Sequence, residues 1–118
     1  MTLVDTSIWV NHFRYGSPRL ESFLQDTQVL IHPWIIGELA CGGLKNRKEV
    51  LALLCALPQT HIPEHHEVLH LLEMHKLYGT GLGWVDMNLL TAAQLTGCAL
   101  WTADTSLQKA AAKLQLSK

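Results

Sequence analysis

A chain of 118 residues is long enough for one domain, residues 1–118, around a single core, and 48% apolar residues exclude a disordered chain. Ten Asp and Glu against nine Lys and Arg give a net charge of −1, which is not the balance of a uniformly basic nucleic-acid binder. No apolar run reaches the roughly 18 residues of a membrane span, and the opening MTLVDTSIWV has neither the basic start nor the small-residue cleavage site of a secretory signal.

In chain order, Thr2 to Val4 reads as a short strand. Asp5 and Thr6 start a helix that carries Ile8, Trp9 and Phe13 at helical spacing. Gly16-Ser17-Pro18 breaks it, and a second helix is expected over Arg19 to Gln25. Gln28 to Ile31 reads as a strand, and Pro33 opens a helix to about Cys41 that Gly42-Gly43 stops. Asn46 is the expected cap of a helix with Val50, Leu53, Leu54 and Leu57 on one face, ended by Pro58. Thr60 to Ile62 reads as a very short third strand, followed by a helix from Pro63 to about Tyr78. The loop Gly79-Thr80-Gly81-Leu82-Gly83 leads into a helix over Trp84 to Leu95 with Gly97 as its stop. Cys98 to Thr102 is the fourth expected strand, and Asp104 begins the last helix, to about Leu114. Short strands alternating with helices predict an α/β fold with a mainly parallel sheet.

Four carboxylates stand out in this pattern. Asp5, Glu38, Asp86 and Asp104 lie in LVDTSIWV, PWIIGELA, GWVDMNLL and LWTADTSL, at or one turn from the junction of an apolar run and a helix start. Acids in such places are rarely buried unless paired or bound to a cation. Asp5 and Asp104 end strands, and an open parallel sheet binds ligands at the carboxyl ends of its strands. Four converging acids repel unless a hard cation lies between them, and oxygen ligands suit Mg²⁺ or Mn²⁺. That combination suggests metal-assisted phosphodiester hydrolysis. Singly, three of the acids have simpler readings: Asp5 and Asp104 as helix caps, and Asp86 as a first-turn acid favoured by the helix dipole. Glu38, between Ile36 and Leu39, has little polar face around it, so the joint pattern outweighs any one member.

Setting the four acids aside leaves six acids against nine bases, a balance of +3. Arg14, Arg19, Lys45, Arg47 and Lys48 are candidates for a basic rim that holds RNA, against the alternative of scattered solvated charges. His66-Glu67-Val68-Leu69-His70 matches the zinc metalloprotease pattern H-E-x-x-H. Against that reading, the chain has seven His, no third ligand at a familiar spacing, and a buried stripe of Val68, Leu71, Leu72 and Tyr78 that turns His66 and His70 toward solvent. Gly79-Thr80-Gly81 follows a helix, not a strand, so it reads as a hinge or a tight backbone approach and not a dinucleotide loop. Trp9, Trp34, Trp84 and Trp101 are expected in the core or at an interface. Cys41, Cys55 and Cys98 are odd in number and share no CxxC spacing, which fits reduced core thiols in a cytoplasmic protein.

Taken together, LVDTSIWV, PWIIGELACG, GLGWVDMNLLTAA and LWTADTSLQKAA resemble the PIN-domain ribonucleases, in particular the VapC-type toxins of bacterial toxin–antitoxin pairs. Asp5, Glu38, Asp86 and Asp104 fall on that family's four acidic positions, in order. The resemblance implies a compact PIN-like sandwich with Mg²⁺ or Mn²⁺ at the acids and endonucleolytic cleavage of single-stranded or looped RNA. It also implies a cognate antitoxin and usually a toxin homodimer. In this reading Asp5, Asp86 and Asp104 ligate metal, Glu38 ligates metal or orients water, and Thr6 and Thr102 orient the carboxylates. A catalytically idle RNA- or partner-binding module of the same fold is the alternative, and an intact acid set argues against it. The tail after Asp104 is short, so the last strand of the family fold is expected to be truncated or absent.

Overall fold

In a computed structural model, which describes residues 1–117, three short strands form a parallel sheet surrounded by helices. The central strand is β1 (Thr2–Val4), whose three residues are all buried. A strand covered on both faces is what a parallel sheet between helices requires. β2 (Val29–Leu30) and β3 (Ala99–Trp101) pair with it on either side, in the order β2-β1-β3. This is the α/β architecture that the strand–helix alternation predicts.

Two isolated parallel bridges widen the sheet by one residue pair each: Ile31 with Gln59, and Leu100 with Ser117. The strand expected over Thr60 to Ile62 is therefore reduced to a bridge at Gln59. Pro58 and Pro63 bracket this stretch and lack the N–H that a ladder needs. Backbone bonds from Ile31 N–H to Pro58 C=O and from Thr60 N–H to Ile31 C=O, at 2.9 and 3.0 Å, make up the pairing. The tail after Asp104 does supply an edge, truncated to Ser117 and a bond of 2.7 Å from Leu100 N–H to Leu116 C=O.

The helices are α1 (Thr6–Tyr15), α2 (Pro18–Gln25), α3 (Pro33–Ala40), α4 (Arg47–Ala56), α5 (His65–Met74), α6 (Trp84–Thr96) and α7 (Thr105–Lys113). α5 stops short of the predicted Tyr78. Lys76 enters the left-handed region (φ 52°), and Leu77 N–H turns back to Leu72 C=O at 3.0 Å. That turn buries Leu77 and leaves Tyr78 58% exposed, so the predicted stripe holds at Val68, Leu71 and Leu72 and fails at Tyr78. Asn46 precedes α4 as expected, but it has φ 51° and its side chain makes no capping bond.

α6 is the axis of the core. Residues Met87 to Ala93 are buried without a break, as befits a helix apolar on all sides. Its two buried polar side chains are satisfied within the helix: Thr91 Oγ1 donates to Met87 C=O and Asn88 Nδ2 to Trp84 C=O, at 2.7 and 2.9 Å. α5, α7 and β3 pack against α6. Of the four tryptophans only Trp9 is buried; Trp34 and Trp84 are about 40% exposed and Trp101 is half-buried. Of the cysteines only Cys98 is a core residue, while Cys41 and Cys55 are exposed. Among the described residues no helix is long and apolar enough to cross a membrane.

Candidate active site

The register of the sheet builds the first part of the site. Val4 pairs with Trp101, and Asp5 N–H bonds Trp101 C=O at 2.9 Å, so Asp5 and Thr102 leave the sheet side by side. Thr102 Oγ1 donates to Asp5 Oδ2 at 2.7 Å, and Ser7 Oγ donates to the same oxygen at 2.9 Å. Thr6 N–H donates to Oδ1 at 2.8 Å. Asp5 is only 8% exposed, and these donors are what a buried carboxylate needs. The hydroxyl lone pairs are used as well: Ser7 Oγ accepts from Ala103 N–H and Thr102 Oγ1 from Asp104 N–H, at 3.0 and 3.1 Å. The turn that presents Asp104 is thus tied to Asp5. Ser7 escaped the sequence reading, because a hydroxyl in the first turn of a helix is commonplace until strand pairing brings residues 102 and 103 beside it.

Glu38 lies near the end of α3 and is exposed; Gly37 and Trp34 share its open side, so the apolar neighbours in sequence do not enclose it. It reaches the site through Thr6, whose hydroxyl donates to Glu38 Oε1 at 2.9 Å. The Thr6 side chain therefore steadies Glu38, and only its backbone serves Asp5. Asp104 caps α7, accepting from Leu107 N–H at 2.9 Å. Asp86, in the first turn of α6, accepts from Gly83 N–H through Oδ2 at 3.0 Å. The capping roles open to these acids are thus realised, each with a single oxygen of the carboxylate.

Capping does not account for how the acids affect one another. Asp86 is pushed above the ordinary carboxylate range, first by burial and then by the negative charges of Asp104 and Asp5, against the opposing hydrogen bond from Gly83. Acids from three separate parts of the chain therefore sit within electrostatic reach of each other. Among the described residues, no three His, Cys, Asp or Glu side chains already stand around a common point as metal ligands. The donor chemistry nevertheless fits a hard cation: every candidate donor is a carboxylate oxygen, and mutual repulsion is relieved by positive charge. Asp5 is fixed by its donors, while Glu38, Asp86 and Asp104 are half-buried or exposed and each has one oxygen engaged by a single donor, which leaves the other oxygen for an ion.

His66 and His70 lie on the exposed face of α5. His66 Nδ1 contacts Glu64 Oε2 at 3.3 Å, with both side chains more than 70% exposed. Glu67 turns to the helix start, accepting from Glu64 N–H at 2.9 Å. The H-E-x-x-H pattern is a solvated helix surface.

A short parallel sheet with strand-end acids gathered at one edge defines the class, and residues 2–113 match the PIN domain. The chain belongs to the PIN-domain family. It is 46% identical over 114 residues to Ribonuclease VapC32 of Mycobacterium tuberculosis strains CDC 1551 / Oshkosh and ATCC 25618 / H37Rv, an alignment covering 96% of this chain and 92% of that protein. Within the family it is of the VapC type.

Proposed function

We propose that this protein is an Mg²⁺- or Mn²⁺-dependent endoribonuclease, the toxin of a toxin–antitoxin pair, acting at Asp5, Glu38, Asp86 and Asp104. The observation that carries the reading is the hydrogen-bonded strand end, where Thr102 Oγ1 donates to Asp5 and accepts from Asp104 N–H and Thr6 Oγ1 donates to Glu38, with Asp86, raised first by burial, close enough to feel Asp104 and Asp5. Holding like charges together costs stability, and caps alone do not require it. The ribonuclease name of its VapC32 relative points the same way.

Asp5, Asp86 and Asp104 would hold the ion, and Glu38 would ligate it or orient the attacking water. A bound divalent cation supplies charge for the scissile phosphate and lowers the pKa of water. The chain's own task is orientation. Thr102 and Ser7 fix the Asp5 rotamer, and Thr6 holds Glu38 toward the same edge. The cognate antitoxin would place a basic residue among the acids, where a guanidinium binds carboxylates bidentately, with apolar side chains packed on α3. We assign the active toxin to the cytoplasm, as a homodimer.

The test is RNA cleavage by purified, antitoxin-free protein. Cleavage should stop in EDTA and return with Mg²⁺ or Mn²⁺, and Asp5→Asn, Asp86→Asn and Asp104→Asn should each lower it at least about 100-fold. Undiminished cleavage in EDTA, or near-normal rates in all three variants, would leave the acids as caps only.

A further inference from the structure

Trp34 departs from the other three tryptophans. Trp9 is buried and stacks on Phe13. Trp101 lies under the Arg19 guanidinium, 4.4 Å from its ring centroid, and against Phe23. Trp84 meets the His65 ring at 4.9 Å. Trp34 is 41% exposed, and its one ring contact among the described residues is His32, T-shaped at 5.9 Å and 86°. One neighbouring ring covers at most one face, so an indole face stands open. The residue is nevertheless held in place. Pro33 fixes the backbone at the start of α3, and Trp34 N–H donates to Nδ1 of the buried His32 at 3.0 Å.

Three residues of α3 are fully open on one face: Trp34, Gly37 and Glu38, at the three- and four-residue spacings of helical neighbours. Among the described residues, no other exposed large apolar side chain lies one turn from one of the four acids on the same helix face. Trp84 precedes Asp86 by only two residues, which turns it to another side of α6. Gly37 has no reason in the fold to be glycine. Its backbone is helical, and a Cβ there would meet no atom within 4 Å. Glycine inside a helix costs stability relative to alanine, and its other use is close approach of backbone to a ligand.

We infer that Trp34 and Gly37 form a nucleobase subsite: an unpaired base stacks on the open indole face and lies over the bare backbone at Gly37, beside Glu38. The inference rests on the ribonuclease reading above and adds to it the residues that select among sequences. A flat ring seated beforehand by His32 and Pro33 loses little freedom when a base stacks on it. Every base has a π-face, so such a platform imposes a graded bias toward strongly stacking bases and no single-base requirement.

The test is cleavage of a pool of unstructured oligoribonucleotides, randomised at every position, by the full chain in Mg²⁺ or Mn²⁺. Sequencing the cut ends gives the base frequencies on either side of the cut. Wild type should show a purine bias at one position beside the cut. Trp34→Phe should keep that bias, and Trp34→Leu should abolish it at that position alone. Trp34→Leu should also raise KM about tenfold, with a smaller change in kcat. Gly37→Leu should raise KM in the same way and melt no lower than wild type, because leucine favours a helix over glycine. If Trp34→Leu melts lower, Gly37→Leu decides. Wild-type profile and KM in both Leu variants would overturn the inference, leave the ribonuclease reading standing and make the exposed ring a contact for a protein. A profile that changes only in Gly37→Leu would show a steric limit without stacking, which also overturns it. If wild-type protein does not cut the pool, both readings fall.

Discussion

Thr102 donates its hydroxyl proton to Asp5 Oδ2 at 2.7 Å, a buried bond between residues 97 positions apart. It joins the ends of β1 and β3, and the same oxygen of Thr102 accepts from Asp104 N–H. Thr102→Val keeps the shape and removes both interactions. A hydrogen bond to a charged group contributes about 1.5–3 kcal/mol, so denaturant unfolding should show a loss in that range. Cleavage should fall about 10–100-fold, as for other residues that orient a metal-site carboxylate. Ser7→Ala should act in the same direction. Wild-type stability in Thr102→Val would show that the bond contributes nothing net.

The pH dependence of stability should report on Asp86. Its carboxyl is raised in the folded protein by burial and by Asp104 and Asp5. The folded state therefore holds this proton more tightly than the unfolded chain, and its contribution to stability falls as pH rises from the unfolded value through the folded one. Above the folded value the penalty is complete. Asp86→Asn removes it and keeps an acceptor for Gly83 N–H. In EDTA at pH 7 this variant should melt above wild type, and the difference should vanish below about pH 3.5, where free Asp is largely protonated. A variant that melts lower at both pH values would refute electrostatic strain at this position.

Gly81 couples the loop before α6 to α7. Its φ is +88°, and a Cβ there would lie 2.9 Å from Ser106 Oγ, whereas Gly79, at φ +71°, has open space around it. Gly79→Ala should cost about 1 kcal/mol for the left-handed backbone alone. Gly81→Ala should cost more, up to about 3 kcal/mol, and should also slow cleavage, because the same loop carries Gly83, whose N–H holds Asp86. Equal unfolding energies for the two variants would show that Ser106 yields without cost.

His66 and His70 are exposed on α5. Their double change to Ala should alter stability by no more than about 0.5 kcal/mol per site and leave RNA cleavage intact. Stoichiometric Zn²⁺ in purified protein, lost in the double variant, would restore the metalloprotease reading.

The sequence by itself determined the α/β class and the placement of most elements. Prolines at 18 and 33, the glycines at 42–43 and 97 and the apolar periodicity are local signals, and local backbone energetics act on them directly. It also marked Asp5 and Asp104, because an acid between an apolar strand and a helix start is conspicuous without any contact map, and Glu38 and Asp86 as acids beside apolar runs. Tertiary structure decided what depends on pairing and packing. The register of β1 with β3 set Ser7 and Thr102 on Asp5, and no spacing in the chain encodes a contact 97 residues long. Thr6 went to Glu38 because α1 packs on α3. The third predicted strand shrank to one bridge because the sheet offered Gln59 a single partner between two prolines. α5 ended at Met74 because Leu77, and not Tyr78, had a core to enter. Burial of Trp and Cys residues followed the same rule: hydrophobicity sets the drive to be covered, and only the packing of neighbours decides which side chains are.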